Sequence, residues 1–131
     1  MAGITELDEL LQSMSPALQD GEYVFCTVAG SCSEYSHLEP LATFHEQEGL
    51  TLVLDKDVAK KAKLEFEASF KLITLTVHSS LEAVGLTAAV ATKLASKGIS
   101  ANVIAAYYHD HIFVQSKKAE QALAALEEFR Q

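Results

Sequence analysis

Apolar and polar residues alternate along much of the chain with the two-residue period of β-strands. Successive side chains of a strand point to opposite faces, so this pattern buries one face and leaves the other polar. It predicts strands at residues 22–29, 41–47, 50–54, 64–70, 72–78, 101–108 and 111–115. Turn-forming residues at Glu48-Gly49 and at His109-Asp110 join two pairs of these strands into hairpins.

Four segments show instead the spacing of three and four residues that is typical of an amphipathic helix. The predicted helices cover residues 5–14, 55–62, 86–97 and 116–129. Gly98 follows the third helix, where a left-handed residue commonly ends a helix. Ser15 and Pro16 end the first helix or begin another turn, and the polar residues 30–40 are expected to form a loop.

The order of these elements after residue 70 is strand-helix-strand-strand-helix. One more strand, from residues 64–70 or from a partner chain, completes a four-stranded antiparallel sheet with two helices on one face. This is the ferredoxin-like arrangement, and the residues before 64 show a looser version of it. We therefore expect an α+β protein with two similar halves, residues 1–63 and 64–131.

Two short echoes support such an internal repeat. Residues 48–51 (Glu-Gly-Leu-Thr) resemble residues 84–87 (Val-Gly-Leu-Thr), and residues 52–56 resemble residues 113–117. The second echo falls where a strand is expected to lead into a helix in each half. The repeat therefore predicts that both halves fold in the same order.

The net charge of the chain limits the classes of partner that it can bind. The 131 residues carry 18 acidic and 10 basic side chains, a formal net charge of −8. Phosphate binding needs clustered Lys and Arg, so this charge argues against nucleic acids and anionic membranes. No apolar run approaches the roughly 20 residues of a membrane span, and the first residues do not form a signal peptide. A cytoplasmic location is therefore expected.

The two cysteines, Cys26 and Cys32, stand six residues apart. This spacing is neither that of a zinc site nor that of a redox Cys-x-x-Cys motif. Cys26 alternates in register with Val24 and Val28 and is expected to be a small core residue. Cys32 lies in a polar stretch. A Cys-His pair stays open from the sequence, but nothing marks Cys32 as activated.

The sequence motifs of several enzyme classes are absent. The glycines are isolated, so neither a G-x-G-x-x-G nor a Walker sequence occurs, and no G-x-S-x-G elbow is present. His109 and His111 project to one side of an extended chain and could hold a metal with a third ligand from elsewhere, either His78 or a glutamate. Asp110 between them is also a common turn residue, which favours a hairpin end. We expect no metal and no cofactor.

The segment from Ser79 to Thr87 joins a strand end to a helix start. Unpaired backbone N–H groups and the helix dipole favour a carboxylate or a phosphate at such a place. The absence of a Cβ at Gly85 would let a ligand approach the backbone closely. Ordinary helix capping explains the same residues, because Ser79 and Glu82 match a capping box.

Three segments, residues 73–77, 84–89 and 94–104, together resemble an ACT domain, most closely the regulatory ACT modules of aspartate kinases. Residues 107–114, with residues 48–53, are similar to a family of small stand-alone proteins with paired ACT-like halves. Intracellular amino-acid sensors of eukaryotes have related modules. The resemblance covers residues 71–130 well and the first half loosely.

The resemblance implies a ligand site, because ACT families typically hold an amino acid where two ACT units meet. The residues implied for the carboxylate side are Ser79, Ser80, Val84, Gly85, Leu86 and Thr87. Those implied for the ammonium side are Asn102, Val103 and Ile104, with Asp110 contacting a polar or cationic side chain. Glu48 and Gly49 are the matching positions of the first half.

A sensor of a small molecule, and not an enzyme, is the function that the resemblance implies. An amino acid bound between ACT units would shift an interface or the oligomeric state. Sheet edges are commonly paired, so we expect a homodimer. One alternative is a structural or protein-interaction module without a small ligand. Another is an enzyme that uses a metal held by His109 and His111.

Overall fold

The computed structural model describes residues 6–76 and 85–130. Five α-helices and seven β-strands lie in these residues. The helices are α1 (Glu6–Ser13), α2 (Cys32–Tyr35), α3 (Lys56–Lys61), α4 (Leu86–Ser96) and α5 (Ala119–Glu127). The strands are β1 (Ser15–Leu18), β2 (Tyr23–Val28), β3 (Ala42–Glu46), β4 (Gly49–Asp55), β5 (Phe70–Thr76), β6 (Asn102–Ala105) and β7 (Asp110–Gln115).

The chain folds as two compact units. The first unit consists of residues 1–20 and 71–131, and the second unit of residues 21–70. The expected halves, 1–63 and 64–131, divide the chain by sequence. They differ from the compact units in the placement of residues 1–20 and 64–70, and α1 and β1 share a unit with the C-terminal residues.

The first unit has its strands in the order β1-β5-β7-β6. β1 is antiparallel to β5, with Leu18 opposite Ile73, and β6 is antiparallel to β7, with Val103 opposite Ile112. Apolar side chains of α1, α4 and α5 share one core with one face of these strands. The buried residues of this core are Leu11, Met14, Ile73, Leu75, Leu86, Val90, Leu94, Ile99, Ile112, Val114, Ala119, Ala122, Ala125 and Leu126.

The fourth strand of the first unit is β1, so the prediction that residues 64–70 supply it is wrong. Of that segment only Phe70 belongs to a strand, as the first residue of β5. Leu64 and Phe66 alternate because they pack against the core of the second unit from an irregular segment. Apolar residues with a two-residue period can therefore occur in a loop as well as in a strand.

β1 was not predicted from the sequence because it contains Pro16, and proline is rare in strands. The Gln19 N–H donates to the Leu72 carbonyl oxygen at 2.8 Å. Hydrogen-bonded and non-hydrogen-bonded pairs alternate along an antiparallel ladder. The pair of Pro16 and Leu75, three positions earlier in the same register, is therefore a non-hydrogen-bonded pair. Proline is tolerated there because this position needs no N–H donor.

The second unit has its strands in the order β3-β4-β2, all antiparallel. The Asp55 carboxylate caps α3, as predicted, by accepting from the Asp57 and Val58 N–H groups at 2.9 and 3.4 Å. The predicted loop 30–40 is wrong in part, because it contains α2 and a 3-10 turn at Ser36–Leu38. The buried core residues are Val24, Cys26, Val28, Leu50, Leu52, Leu54 and Ala59.

Both units follow one folding order, which confirms the ferredoxin-like α+β prediction. Strand, helix, strand, strand and helix are β5-α4-β6-β7-α5 in the first unit and β2-α2-β3-β4-α3 in the second. By this order β4 matches β7, and the echo of residues 52–56 with 113–117 marks equivalent strand-to-helix junctions. The echo of residues 48–51 with 84–87 does not hold, because the former enter strand β4 and the latter begin helix α4.

Most other predicted elements are confirmed with changed ends. The strand predicted at residues 101–108 is shorter, from Asn102 to Ala105, and the last helix begins with a 3-10 turn at Ser116–Lys118. Gly98 has a φ of 73°, as predicted for the end of α4. Within residues 6–76 and 85–130, no helix is long and apolar enough to cross a membrane.

Candidate functional site

Helix α4 begins at Leu86, within the Ser79–Thr87 segment for which a ligand carboxylate was predicted. Gly85 is the N-cap residue, and the Ala89 N–H donates to its carbonyl oxygen at 2.9 Å. The N–H groups of the three residues before Ala89 have no partner within the helix. The N-cap residue of α4 cannot cap them, because Gly85 has no side chain. Leu86 is buried in the core of the first unit, whereas Thr87 is exposed.

Gly85 is required by the fold itself. Its φ of 95° lies in the left-handed region, which side chains with a Cβ rarely adopt. A Cβ placed there would lie 3.1 Å from Leu7 Cδ2 of α1. Packing on Leu7 therefore explains this glycine, so its identity does not point to a ligand. Ser79, Ser80 and Val84, the other residues predicted on the carboxylate side, and the capping residue Glu82 lie outside the described residues.

At the equivalent helix start in the second unit, the N-cap residue is hydrogen-bonded to a carboxylate of the same helix, that of Glu34. Ser31 is the N-cap of α2, and Glu34 is its third helical residue. Glu34 Oε1 accepts from the Ser31 N–H and from Ser31 Oγ, each at 3.3 Å. A Cβ on Gly30 would lie 2.7 Å from Glu34 Oε2. This cap was not predicted, although Ser31-x-x-Glu34 is a capping-box signature in the sequence.

The predicted correspondence of Glu48 and Gly49 with the Gly85 loop does not hold in the fold. Glu48 is exposed in the turn between β3 and β4, and Gly49 is the first residue of β4. A Cβ on Gly49 would lie 2.9 Å from the Val28 carbonyl oxygen, so close packing of β4 on β2 requires glycine. In the shared folding order Gly49 begins β4 as Asp110 begins β7.

The three residues predicted for the ammonium side form most of β6 and point to different sides. Val103 packs against the core of the first unit. Asn102 is exposed, and its Nδ2 donates to the Phe113 carbonyl oxygen at 3.4 Å. Ile104 lies opposite His111. Asp110 pairs with Ala105, three positions along β6 from Asn102, or about 10 Å at strand spacing.

His111 joins β7 to its neighbour β5. Its Nδ1 lies 3.1 Å from Thr74 Oγ1. Burial lowers the pKa of His111, the nearby His109 lowers it further, and Asp110 opposes both effects. His109 Nδ1 is buried without a hydrogen-bond partner in the described part of the chain.

The His109-Asp110-His111 cluster does not assemble a metal site from described residues. The two imidazole rings are 6.5 Å apart between centroids. Within residues 6–76 and 85–130 no group of three His, Cys, Asp or Glu side chains is placed to hold a metal ion. His78, the third ligand considered from sequence, lies outside those residues.

Protein families and solved structures resemble this chain over most of its length. Two family models, each described as ACT domain, match residues 2–71 and 67–128. No curated protein matches the chain in sequence. A crystal structure from Vibrio cholerae, of a protein of unknown function named a possible transport protein, is 68% identical. It superposes with a TM-score of 0.92, over 99% of this chain and 100% of the other.

More distant structures share the fold. The ligand-free regulatory subunit of aspartate kinase from Thermus thermophilus is 11% identical, with a TM-score of 0.67 over 88% of this chain and 96% of that one. Aspartokinase III of E. coli, in complex with aspartate and ADP, is 12% identical with a TM-score of 0.61. This chain covers 33% of that protein, and 92% of this chain is aligned.

Proposed function

Because this chain belongs to the ACT domain family, we propose that it is a regulatory protein which binds an amino acid at the start of α4. The observation that carries the proposal is the difference between its two equivalent helix starts. At α2 the N-cap residue Ser31 and Glu34 form a capping box, whereas the N-cap residue of α4 is Gly85, which has no side chain. A ligand carboxylate would lie at the start of α4, as the Glu34 carboxylate lies at the start of α2.

The physical driving force is the positive end of the α4 dipole. An anion there gains roughly 0.3–1 kcal/mol, and up to about 2 kcal/mol where it is partly buried. Charge-assisted hydrogen bonds from the N–H groups of Leu86, Thr87 and Ala88 would add to this gain. Ser79, Ser80, Val84 and Gly85 complete the proposed carboxylate side.

The chemical class of ligand follows from the charge around it. The chain carries a net charge of −8, which repels a free anion. A zwitterionic amino acid has no net charge and brings its carboxylate without that penalty. The ammonium group would face β6 at Asn102, Val103 and Ile104, and Asp110 would favour a polar or cationic side chain. The E. coli relative in fold was crystallised with aspartate, which supports an amino acid as the ligand class.

Ligand binding would act through self-association. β6 and β3 are outer strands in the sheets of their own units. Outer strands carry unpaired backbone groups that a second copy can pair. We infer a homodimer whose stability changes with the ligand. Light scattering across a concentration series, with and without ligand, tests this. A monomer under every condition would remove this part of the proposal.

A thermal-shift screen of the twenty amino acids tests ligand binding. A saturable ligand stabilises the folded state by RT ln(1 + [L]/Kd), about 2.7 kcal/mol at a hundred times Kd. We expect one amino acid, or a few related ones, to raise the melting temperature. The amide of the same amino acid, which lacks the carboxylate, should not. If no amino acid acts at millimolar concentration, the alternative of a structural or protein-interaction module is favoured.

Ala88→Glu locates the site. Ala88 is exposed and is the third residue of α4, the position that Glu34 occupies in α2. The new carboxylate should cap α4 and stabilise the unliganded protein by about 0.5–1 kcal/mol. It should also lower the affinity for the identified amino acid at least tenfold. Ala88→Gln, of the same size without the charge, is the matched control and should retain most of the affinity. Equal affinity of Ala88→Glu and the unaltered protein would place the ligand elsewhere.

A further inference from the structure

Cys32 and His45 come into contact in the second unit although they are 13 residues apart in sequence. Cys32 Sγ lies 3.4 Å from His45 Nε2 and 3.8 Å from Thr43 Oγ1. Cys32 is the first residue of α2, whereas Thr43 and His45 alternate along the outer strand β3. Their side chains therefore point to the same face of β3, the face on which Cys32 lies.

The two thiols of the chain have opposite surroundings. Cys26 is 3% exposed, and its burial raises the pKa of its thiol, which keeps it protonated. Cys32 is only half-buried, and His45 beside it is exposed. A thiolate is the nucleophilic form of cysteine, and a neighbouring imidazole can take up the thiol proton. Only Cys32 therefore combines access for a small reagent with a base in contact.

We propose that Cys32 and His45 form a reactive thiol site, at which hydrogen peroxide or another small hydroperoxide oxidises Cys32. Cys32 Sγ attacks one peroxide oxygen while its proton passes to His45 Nε2. An S–O bond forms and the O–O bond breaks. The departing hydroxide, or the alkoxide of an organic hydroperoxide, takes the proton from His45 and leaves as water or as the alcohol. The thiol is oxidised by two electrons to a sulfenic acid, and the peroxide is reduced by two electrons.

The arrangement also limits the products of oxidation. The sequence contains only one other cysteine, Cys26, which is buried and pairs in β2 with Leu52 of β4. Both cysteines are free thiols, and burial raises the pKa of Cys26, which disfavours its thiolate as a partner for oxidised Cys32. The sulfenic acid is therefore the product to be detected, or its mixed disulfide with a small thiol. This site is independent of the amino-acid site proposed in the first unit.

Alkylation of the intact protein by iodoacetamide, followed at each cysteine by peptide mass spectrometry, tests the pair. At pH 7 we expect Cys32 to react much faster than Cys26, and His45→Gln to slow Cys32 roughly tenfold because it removes the base. His37→Gln, at another exposed histidine of the same unit, is the matched control and should not change the rate. Near pH 9.5 the unaltered and His45→Gln proteins should converge, because ordinary thiols, with a pKa of about 8.5, ionise without help.

Hydrogen peroxide followed by the sulfenic-acid trap dimedone tests the oxidation itself. We expect a dimedone adduct on Cys32 that forms more slowly in His45→Gln. His45→Thr, with a good strand-forming residue, serves as a second variant, and circular dichroism establishes that each variant is folded. Equal rates in the unaltered, His45→Gln and His45→Thr proteins, or no adduct on Cys32, would overturn the proposal.

Discussion

At the scale of single residues, the ionisation of His111 is coupled to folding. Its pKa is lowered chiefly by burial, so the folded state binds the proton less readily than the unfolded chain. Between the two pKa values the unfolded state holds more protons, and stability increases with pH there. The stabilising effect of neutral His111 is thus complete above the unfolded value of about 6.5, and it declines as the pH falls below that value.

We therefore expect the melting temperature to fall between pH 7.5 and pH 5.5, and His111→Gln to reduce that fall. Glutamine keeps a hydrogen-bonding group near Thr74 Oγ1, the partner of His111, but does not titrate. His37→Gln, at an exposed histidine, is the control and should follow the unaltered protein. Calorimetry at several pH values measures the effect. An unchanged pH dependence in His111→Gln would mean that another group is responsible.

Residue-level chemistry could be predicted only where partners are close in sequence. The sequence identified His109-Asp110-His111 as a cluster and Asp55 as a helix cap, because each depends on neighbours within a few positions. It did not identify Thr74 as the partner of His111, 37 positions away, or His45 as the partner of Cys32. Those contacts depend on which strands are neighbours, and a one-residue change of register would abolish them.

At the scale of secondary-structure elements, the start of α4 depends on glycine. Gly85→Ala must hold a Cβ at a φ of 95° and place it 3.1 Å from Leu7 Cδ2. We expect it to destabilise the protein by about 1–2 kcal/mol, measured by urea unfolding. In a Leu7→Ala background the cost should be smaller, since the contact is gone. Equal costs in both backgrounds would show that Leu7 plays no part.

Substitutions at Gly85 would change folding as well as the proposed ligand binding. A β-branched side chain such as that of Gly85→Val meets the same left-handed backbone and the same Leu7 contact. Loss of ligand binding in that variant would not separate the site from the fold. Ala88 is exposed and helical, so a substitution there changes the charge at the helix start without this strain.

The short strand β1 provides a second test at the scale of elements. Ala17 is opposite Thr74, and the ladder that bonds Gln19 to Leu72 makes this a hydrogen-bonded pair. Ala17→Pro removes that donor and should destabilise the protein by roughly 1–3 kcal/mol, measured by urea unfolding. Pro16→Ala, at the adjacent non-bonded position, is the control and should change stability by less than about 1 kcal/mol. Similar effects of both substitutions would contradict the register of β1.

Elements with a long periodic pattern could be predicted, and short or irregular ones could not. α4 and β4 have enough apolar positions to determine their period. β1 has four residues and a proline, and α2 has four residues that are mostly polar. Their structure depends on packing against other elements, which a local pattern does not contain. Residues 64–69 were wrongly predicted to form a strand. Their alternate side chains reach a core, although their backbone does not pair with another strand.

At the scale of the whole molecule, the first compact unit is not continuous in sequence. α1 and β1 come from its first 20 residues, and Leu11 and Met14 lie in the same core as α4, α5 and β5. Met14 is 0% exposed, so its removal would leave a cavity in that core. A repeat in the sequence therefore does not fix where one compact unit ends and the next begins.

The discontinuity of the first unit predicts how truncated and permuted chains behave. Residues 64–131 alone lack β1, Leu11 and Met14, so we expect no cooperative thermal unfolding of a monomer by circular dichroism. A permuted chain that joins residues 71–130 through a short linker to residues 6–20 restores these parts. The 3-10 turn at Glu128–Arg130 contacts α1, so a few glycine and serine residues can span the join. We expect this permuted chain to unfold cooperatively. If residues 64–131 form a stable monomer by themselves, β1 is dispensable and the compact unit is smaller than its core indicates.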